Sequence, residues 1–179
     1  MEINIDNVGP SQYYDEAMGI QSNYKKLIKN PRMKIRPLSF KALLLTGISV
    51  IFLIIFAALK IIDPAYPYYK YVIFIFAIAT VFGLVYYLMI KKTISRFRNN
   101  SSSSKFIMEK DFVELQSGGE TSRIEFSNIQ HVIINRYSIC FIPRDQTSNI
   151  IVIRSEYKSQ IVNFEGYESL IVDNSSLYQ

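Results

Sequence analysis

The chain has 179 residues, 49% apolar and 20% charged, with a formal net charge of +5. One cysteine (Cys140) and one histidine (His131) exclude an internal disulfide framework and any Cys- or His-rich metal centre. The positive charge sits in two blocks without an acid: seven basic residues over 25–41 and five over 91–105. From 106 onward six basic residues face ten acidic ones. A basic domain would point to nucleic acid; blocks that flank apolar runs point to lipid headgroups instead.

Ser11, after Pro10, can cap a helix over 12–29, which Pro31 ends. Asp15 and Glu16 are expected in its first turn, and Lys25, Lys26 and Lys29 near its last, as the helix dipole favours. Tyr13, Ala17, Ile20, Tyr24, Leu27 and Ile28 form an apolar stripe that suits either a membrane surface or the C-terminal domain. The first forty residues do not read as a signal peptide: four acids precede the basic block. With its only cysteine far downstream, the chain does not read as a lipoprotein either.

Residues 42–59 and 71–90 are uncharged runs of eighteen and twenty residues. At about 1.5 Å per residue each approaches the roughly 30 Å hydrocarbon thickness. Within one segment only a helix satisfies its own backbone there. The short connection over 60–70 contains Pro64 and Pro67 and makes the two helices antiparallel neighbours. Tyr66, Tyr68, Tyr69 and Tyr71 cluster at that end, and Tyr86 and Tyr87 lie near the other, as interfacial tyrosines do. Ala79 and Gly83 are spaced for close helix packing. The terminal flanks carry twelve basic residues against Lys60 and Lys70 in the loop, so both termini are expected in the cytoplasm.

Residues 98–104 read as a polar linker, after which the period changes to two. Strands are expected over 106–109, 112–115, 123–126, 137–142 and 150–153, with a turn at Ser117, Gly118 and Gly119. Ile124, Phe126, Ile139, Phe141 and Ile151 are the expected core. Helix-like spacing of Ile161, Phe164, Glu168 and Ile171 suggests a helix over 156–172, and 173–179 reads as a frayed tail. The expected division is a cytoplasmic segment 1–41, a transmembrane hairpin 42–90, a basic and Ser-rich linker 91–105, a β-rich domain 106–172 and the tail.

No phosphate loop, nucleophile elbow or metal-ligand cluster is present, so no catalytic, cofactor-binding or metal residues are assigned and an enzyme is not expected. His131 reads as a surface or turn histidine, and Cys140 as a buried thiol. The candidate lipid-headgroup contacts are Lys25, Lys26, Lys29, Arg32, Lys34, Arg36, Lys91, Lys92, Arg96 and Arg98. The candidate partner contacts are Tyr66, Tyr68 and Tyr69.

The order of parts resembles the YcxB-like membrane proteins of low-GC bacteria. The stretch TSRIEFSNIQHVIINRYSICFIP over 121–143 looks like that family's strand, short W-x-x-I turn and strand, with Phe126 in place of tryptophan and Ile129 as the isoleucine. IIVIRSEYKS over 150–159 resembles its later apolar strand, basic residue and helix. The resemblance implies an α+β membrane protein: a two-helix transmembrane hairpin carrying a small antiparallel, pleckstrin-homology-like cytoplasmic domain in a bacterial plasma membrane. That fold has seven strands; five are legible after 106, so the resemblance implies either that residues 2–5 supply another or that this copy is abbreviated. The function then expected is a non-enzymatic, membrane-anchored binding or scaffold protein with a protein partner and no cofactor. The alternative is a self-immunity protein against a bacteriocin or secreted toxin; a second copy of the chain is a further possible partner.

Overall fold

The computed structural model describes residues 1–5, 9–99, 103–145 and 149–178. The middle of the expected linker, Asp6 and the last residue, Gln179, lie outside them. The protein is α+β and divides into two compact units, 37–94 and a second built from 1–36 together with 95–179. The N-terminal segment therefore does not stand apart: it is part of the β-rich unit.

That unit holds two four-stranded sheets. The first, in order β1-β2-β3-β4, is fully antiparallel and comprises β1 (Glu2–Ile5), β2 (Ser104–Met108), β3 (Phe112–Ser117) and β4 (Glu120–Glu125). Alternation sends Ile3, Ile5, Phe106, Met108, Val113 and Ile124 to one buried face. Gly118 and Gly119, at φ 59° and 85°, form the two-residue turn between β3 and β4, which demands left-handed backbone at both positions.

The second sheet runs β7-β6-β5-β8 and comprises β5 (Ile129–Ile134), β6 (Ser138–Pro143), β7 (Ile151–Arg154) and β8 (Ile171–Asp173). β8 lies parallel to β5; the other pairings are antiparallel. This sheet is covered on both faces. Val132, Ile134, Ile139, Phe141, Ile151 and Ile153 meet the apolar face of the first sheet, with the rings of Phe106 and Phe141 5.5 Å apart. Ile133, Cys140 and Ile142 pack on the other side against Ile20, Leu27 and Ile35. All six residues of β6 are buried, which is why SICFIP lacks polar alternation.

The second cover is α1 (Ser11–Lys29), so the apolar stripe of this helix lies on protein. Ser11 begins the helix rather than capping it; Pro10 is the flanking residue and no side chain caps. Asp15 and Glu16 accordingly fall beyond the first turn and are buried.

The expected helix over 156–172 is interrupted. α4 spans only Lys158–Val162; Gly166 then turns the chain at φ 95°, and Ile171 pairs with Val132. Tyr167 is fully buried, and its hydroxyl donates to the carbonyl of Glu109 at 3.0 Å. Phe126 lies in a 3-10 turn (Phe126–Asn128) instead of a strand, half-buried, with its ring edge-on to Tyr167 at 4.8 Å. The tail is ordered too: a 3-10 turn covers Ser175–Tyr178, and Asn174 is buried.

The other unit contains most of two long helices, α2 (Leu38–Ile62) and α3 (Tyr69–Asn99). Both are long and apolar enough to cross a membrane, and only 17% and 11% of their most apolar windows are buried. α3 runs without a break through Lys91, Lys92, Arg96 and Arg98, so the first part of the expected linker is helical. The helices pair through stacked rings, Phe52 on Phe76 at 5.1 Å and Phe56 on Phe76 at 5.9 Å. Thr46 and Ser49 are buried, and each turns its hydroxyl back to a carbonyl four residues earlier. A Cβ at Gly83 would run into Oγ1 of Thr46, so glycine is what permits this approach.

Two stability predictions follow. Phe141→Ala should destabilise the protein by about 3–5 kcal/mol, and Phe126→Ala by only about 1–2 kcal/mol because its ring is half-exposed; denaturation of the full chain in detergent compares them. Gly83→Leu should destabilise it by about 1–3 kcal/mol through overpacking. Gly47→Leu, on a face where an added Cβ meets nothing within 4 Å, should leave the melting temperature unchanged.

Candidate functional site

The structure groups the candidate basic residues by element. Lys25, Lys26 and Lys29 are exposed on α1, roughly 120–180° around the helix from Ile20. Arg32, Lys34 and Arg36 are exposed on the segment that follows. Among the described residues Lys25, Lys26, Lys29, Arg32 and Lys34 enter no ion pair; Lys34 stands 5.4 Å above the ring of Tyr178. Lys91, Lys92, Arg96 and Arg98 are exposed on the last turns of α3, with Lys91 5.7 Å from the ring of Tyr87. The candidate tyrosines come together: Tyr66 meets Tyr68 edge-on at 5.5 Å and Tyr69 at 4.8 Å.

His131 lies half-buried in β5, not in a turn, and burial together with Arg144 holds its imidazole below the ordinary value. It would therefore be neutral near neutral pH. Cys140 is fully buried, and burial pushes its thiol well up, so it is an inert thiol while α1 covers it. No group of three or more metal-ligating side chains occurs among the described residues.

Sequence reasoning missed a polar cluster beneath α1. Glu16, 2% exposed, accepts from the hydroxyl of Ser138 at 2.5 Å and from the backbone N–H of Tyr137 at 3.3 Å. Burial raises its carboxyl above the ordinary value, opposed by those hydrogen bonds and by Arg136. Beside it Asn135 is buried, with its amide nitrogen unpartnered. Tyr178 accepts from the N–H of Ile35 at 3.0 Å and lies 3.5 Å from Oδ1 of Asn135. Asn174 donates to the carbonyl of Pro31 at 2.7 Å. The tail thus pins the segment that follows α1. The available signal was Glu16 itself, an acid four residues before Ile20 on the apolar stripe.

An open groove of about 520 Å³ runs along α1, lined by Tyr13, Tyr14, Tyr24, Phe97, Ile150 and Val152 among others. Two of its hydroxyls are already committed, Tyr13 to the carbonyl of Val152 at 2.9 Å and Tyr24 to that of Asp145 at 2.8 Å. Among the described residues no charged side chain lines it, and its volume falls within the range of ligand-sized clefts. Searches against protein-family models, curated proteins and solved structures found no match to this chain.

Proposed function

We propose that this is a two-span integral membrane protein whose β-rich unit is a cytoplasmic binding or scaffold module without enzymatic activity. The observation that carries the reading is the outward display of apolar side chains by α2 and α3. Leu43, Ile51, Ile54, Phe74, Phe82 and Leu88 are all exposed. Water would penalise such a surface, and lipid would not. The uncharged run of each helix carries no Asp, Glu, Lys, Arg or His, which argues against a transport path. The exposed lysines of α1 and the basic end of α3 suit contact with anionic headgroups. The groove along α1 is the place we assign to a protein partner.

A pleckstrin-homology-like, YcxB-like module fits this reading. Its support is the seven antiparallel strands β1–β7, four in one sheet and three in the next, together with the resemblance over 121–143. The fit departs at the C-terminal end, where α4 has five residues and β8 extends the second sheet.

Self-immunity is the second reading, favoured by the tyrosine cluster between α2 and α3. Tyrosines supply rigid contact area at low entropic cost. Under that reading the loop meets a toxin arriving from outside.

Reporter fusions test the topology. One placed after Gln179 should be active only as a cytoplasmic reporter, and one inserted at Ala65 only as an external one. An external signal from the C-terminal fusion would overturn the reading. For the second reading, changing Tyr66, Tyr68 and Tyr69 together to serine should abolish protection of a sensitive host at unchanged membrane levels. Full protection would remove the loop as the contact, and no protection by the intact protein would remove immunity altogether.

A further inference from the structure

Glu16 is a carboxyl group inside an apolar interface. It projects from α1 into the layer where Ile20 and Leu27 meet Ile133, Cys140 and Ile142. Its donors, the hydroxyl and backbone N–H of Ser138 and the backbone N–H of Tyr137, come from the β5–β6 turn and the start of β6. Among the described residues it enters no ion pair. A neutral carboxyl is at home in such a place; a carboxylate there, with no ion-pair partner among the described residues to offset its desolvation, is costly. Undocked, the same side chain would be in water and indifferent to its charge.

We infer that α1 is a proton-linked clamp: Glu16 takes up a proton as the helix docks on the second sheet and returns it to water as the helix lifts, so docking weakens as pH rises.

The charged and titratable groups around Glu16 are few. On α1 itself Asp15 is next to it. From the β5–β6 turn comes Arg136, which favours the carboxylate but is exposed. From β6 comes the thiol of Cys140, and from the tail Tyr178, pushed up to about 12 chiefly by burial and further by Glu16. Lys34 stands 5.4 Å from the centre of the Tyr178 ring. Neither thiol nor phenol carries charge in the neutral range, so neither competes with Glu16 as the proton-responsive group.

The sign follows from linkage. The docked carboxyl lies above its ordinary value of 4.5, so between that value and the raised one the docked state holds more protons than the open state. Docking is strongest at and below the ordinary value. It is lost progressively as pH rises to the raised value and is level beyond it.

Cys140 supplies the readout. It is the only cysteine and is fully buried on the face that α1 covers, so it is reached by a reagent only when the helix lifts. The full-length protein in detergent is labelled with N-ethylmaleimide over about pH 5 to pH 8, alongside Glu16→Gln. The glutamine keeps an oxygen for Ser138 and Tyr137 but cannot ionise. Dividing the two rates at each pH cancels the thiol's own pH dependence. The ratio of wild type to variant should be lowest at the acid end and rise with pH, by about tenfold for each unit by which docking raises the carboxyl. A flat ratio overturns the clamp. Hydrogen exchange on the wild type alone gives the second arm and does not require the variant to fold. After correction for intrinsic rates, protection of α1 should fall with pH while that of β2 and β3 holds. Parallel loss in both would mean global opening and would also overturn the proposal.

Discussion

The β-rich unit depends on one requirement: its second sheet must be covered on both faces. β6 offers no water-facing side chain, and Ile133, Cys140 and Ile142 need a partner that the first sheet, on the opposite side, cannot supply. α1 is that partner. Each fully buried isoleucine contributes about 1.5–3 kcal/mol relative to exposure, so losing the helix would remove several kcal/mol from a domain whose net stability is of order 5–15 kcal/mol. The consequences extend along the chain. The N-terminal segment must belong to the same unit as residues 95–179, and once there it also supplies β1 to the edge of the first sheet.

The same requirement explains the polar cluster. A helix held on a sheet by apolar contacts alone can slide or rotate at little cost. Glu16 on Ser138, Tyr13 on the carbonyl of Val152 and Tyr24 on that of Asp145 specify one position. The tail adds Asn174 and Tyr178, which hold the chain at Pro31 and Ile35, just before α2 begins. Hydroxyl hooks cost little to bury when satisfied. The carboxyl is the expensive member, which makes it the responsive one.

Much of this was legible in the sequence. The two long helices follow from uncharged runs of eighteen and twenty residues, and most strands follow from alternation and β-branched content. Ile124, Ile139, Phe141 and Ile151 are buried as alternation required. The docking of α1 was not legible, because an apolar stripe with a helical period looks the same whether lipid or protein lies against it. Glu16 suits the dipole of a helix capped by Ser11, but the helix begins at Ser11 itself and leaves Glu16 beyond its first turn. The C-terminal region misled by periodicity: Ile161, Phe164, Glu168 and Ile171 keep helical spacing, yet Gly166 turns the chain and a parallel strand follows. Such pairing between distant segments leaves no local trace. The groove along α1 was hidden for the same reason, since its lining comes from α1, Phe97, Ser122 and residues 149–152, segments far apart in the chain.

The first sheet also joins residues that are made far apart in time. The amino group of Met1 donates to the carbonyl of Met108, 107 residues later, and Glu16 waits a further stretch for Ser138. At about 5–20 residues per second a ribosome needs about 5–20 s to cover the first gap. Throughout that interval Ile3, Ile5, Ile20 and Leu27 lack the strands they pack against, while α2 and α3 are emerging. The nascent N-terminus is thus an apolar, basic segment awaiting its sheets, and β2, β5 and β6 are the strands that retire it. A chain cut short before β6 would keep α1 uncovered for its whole lifetime, giving cellular quality control a built-in mark of incompleteness.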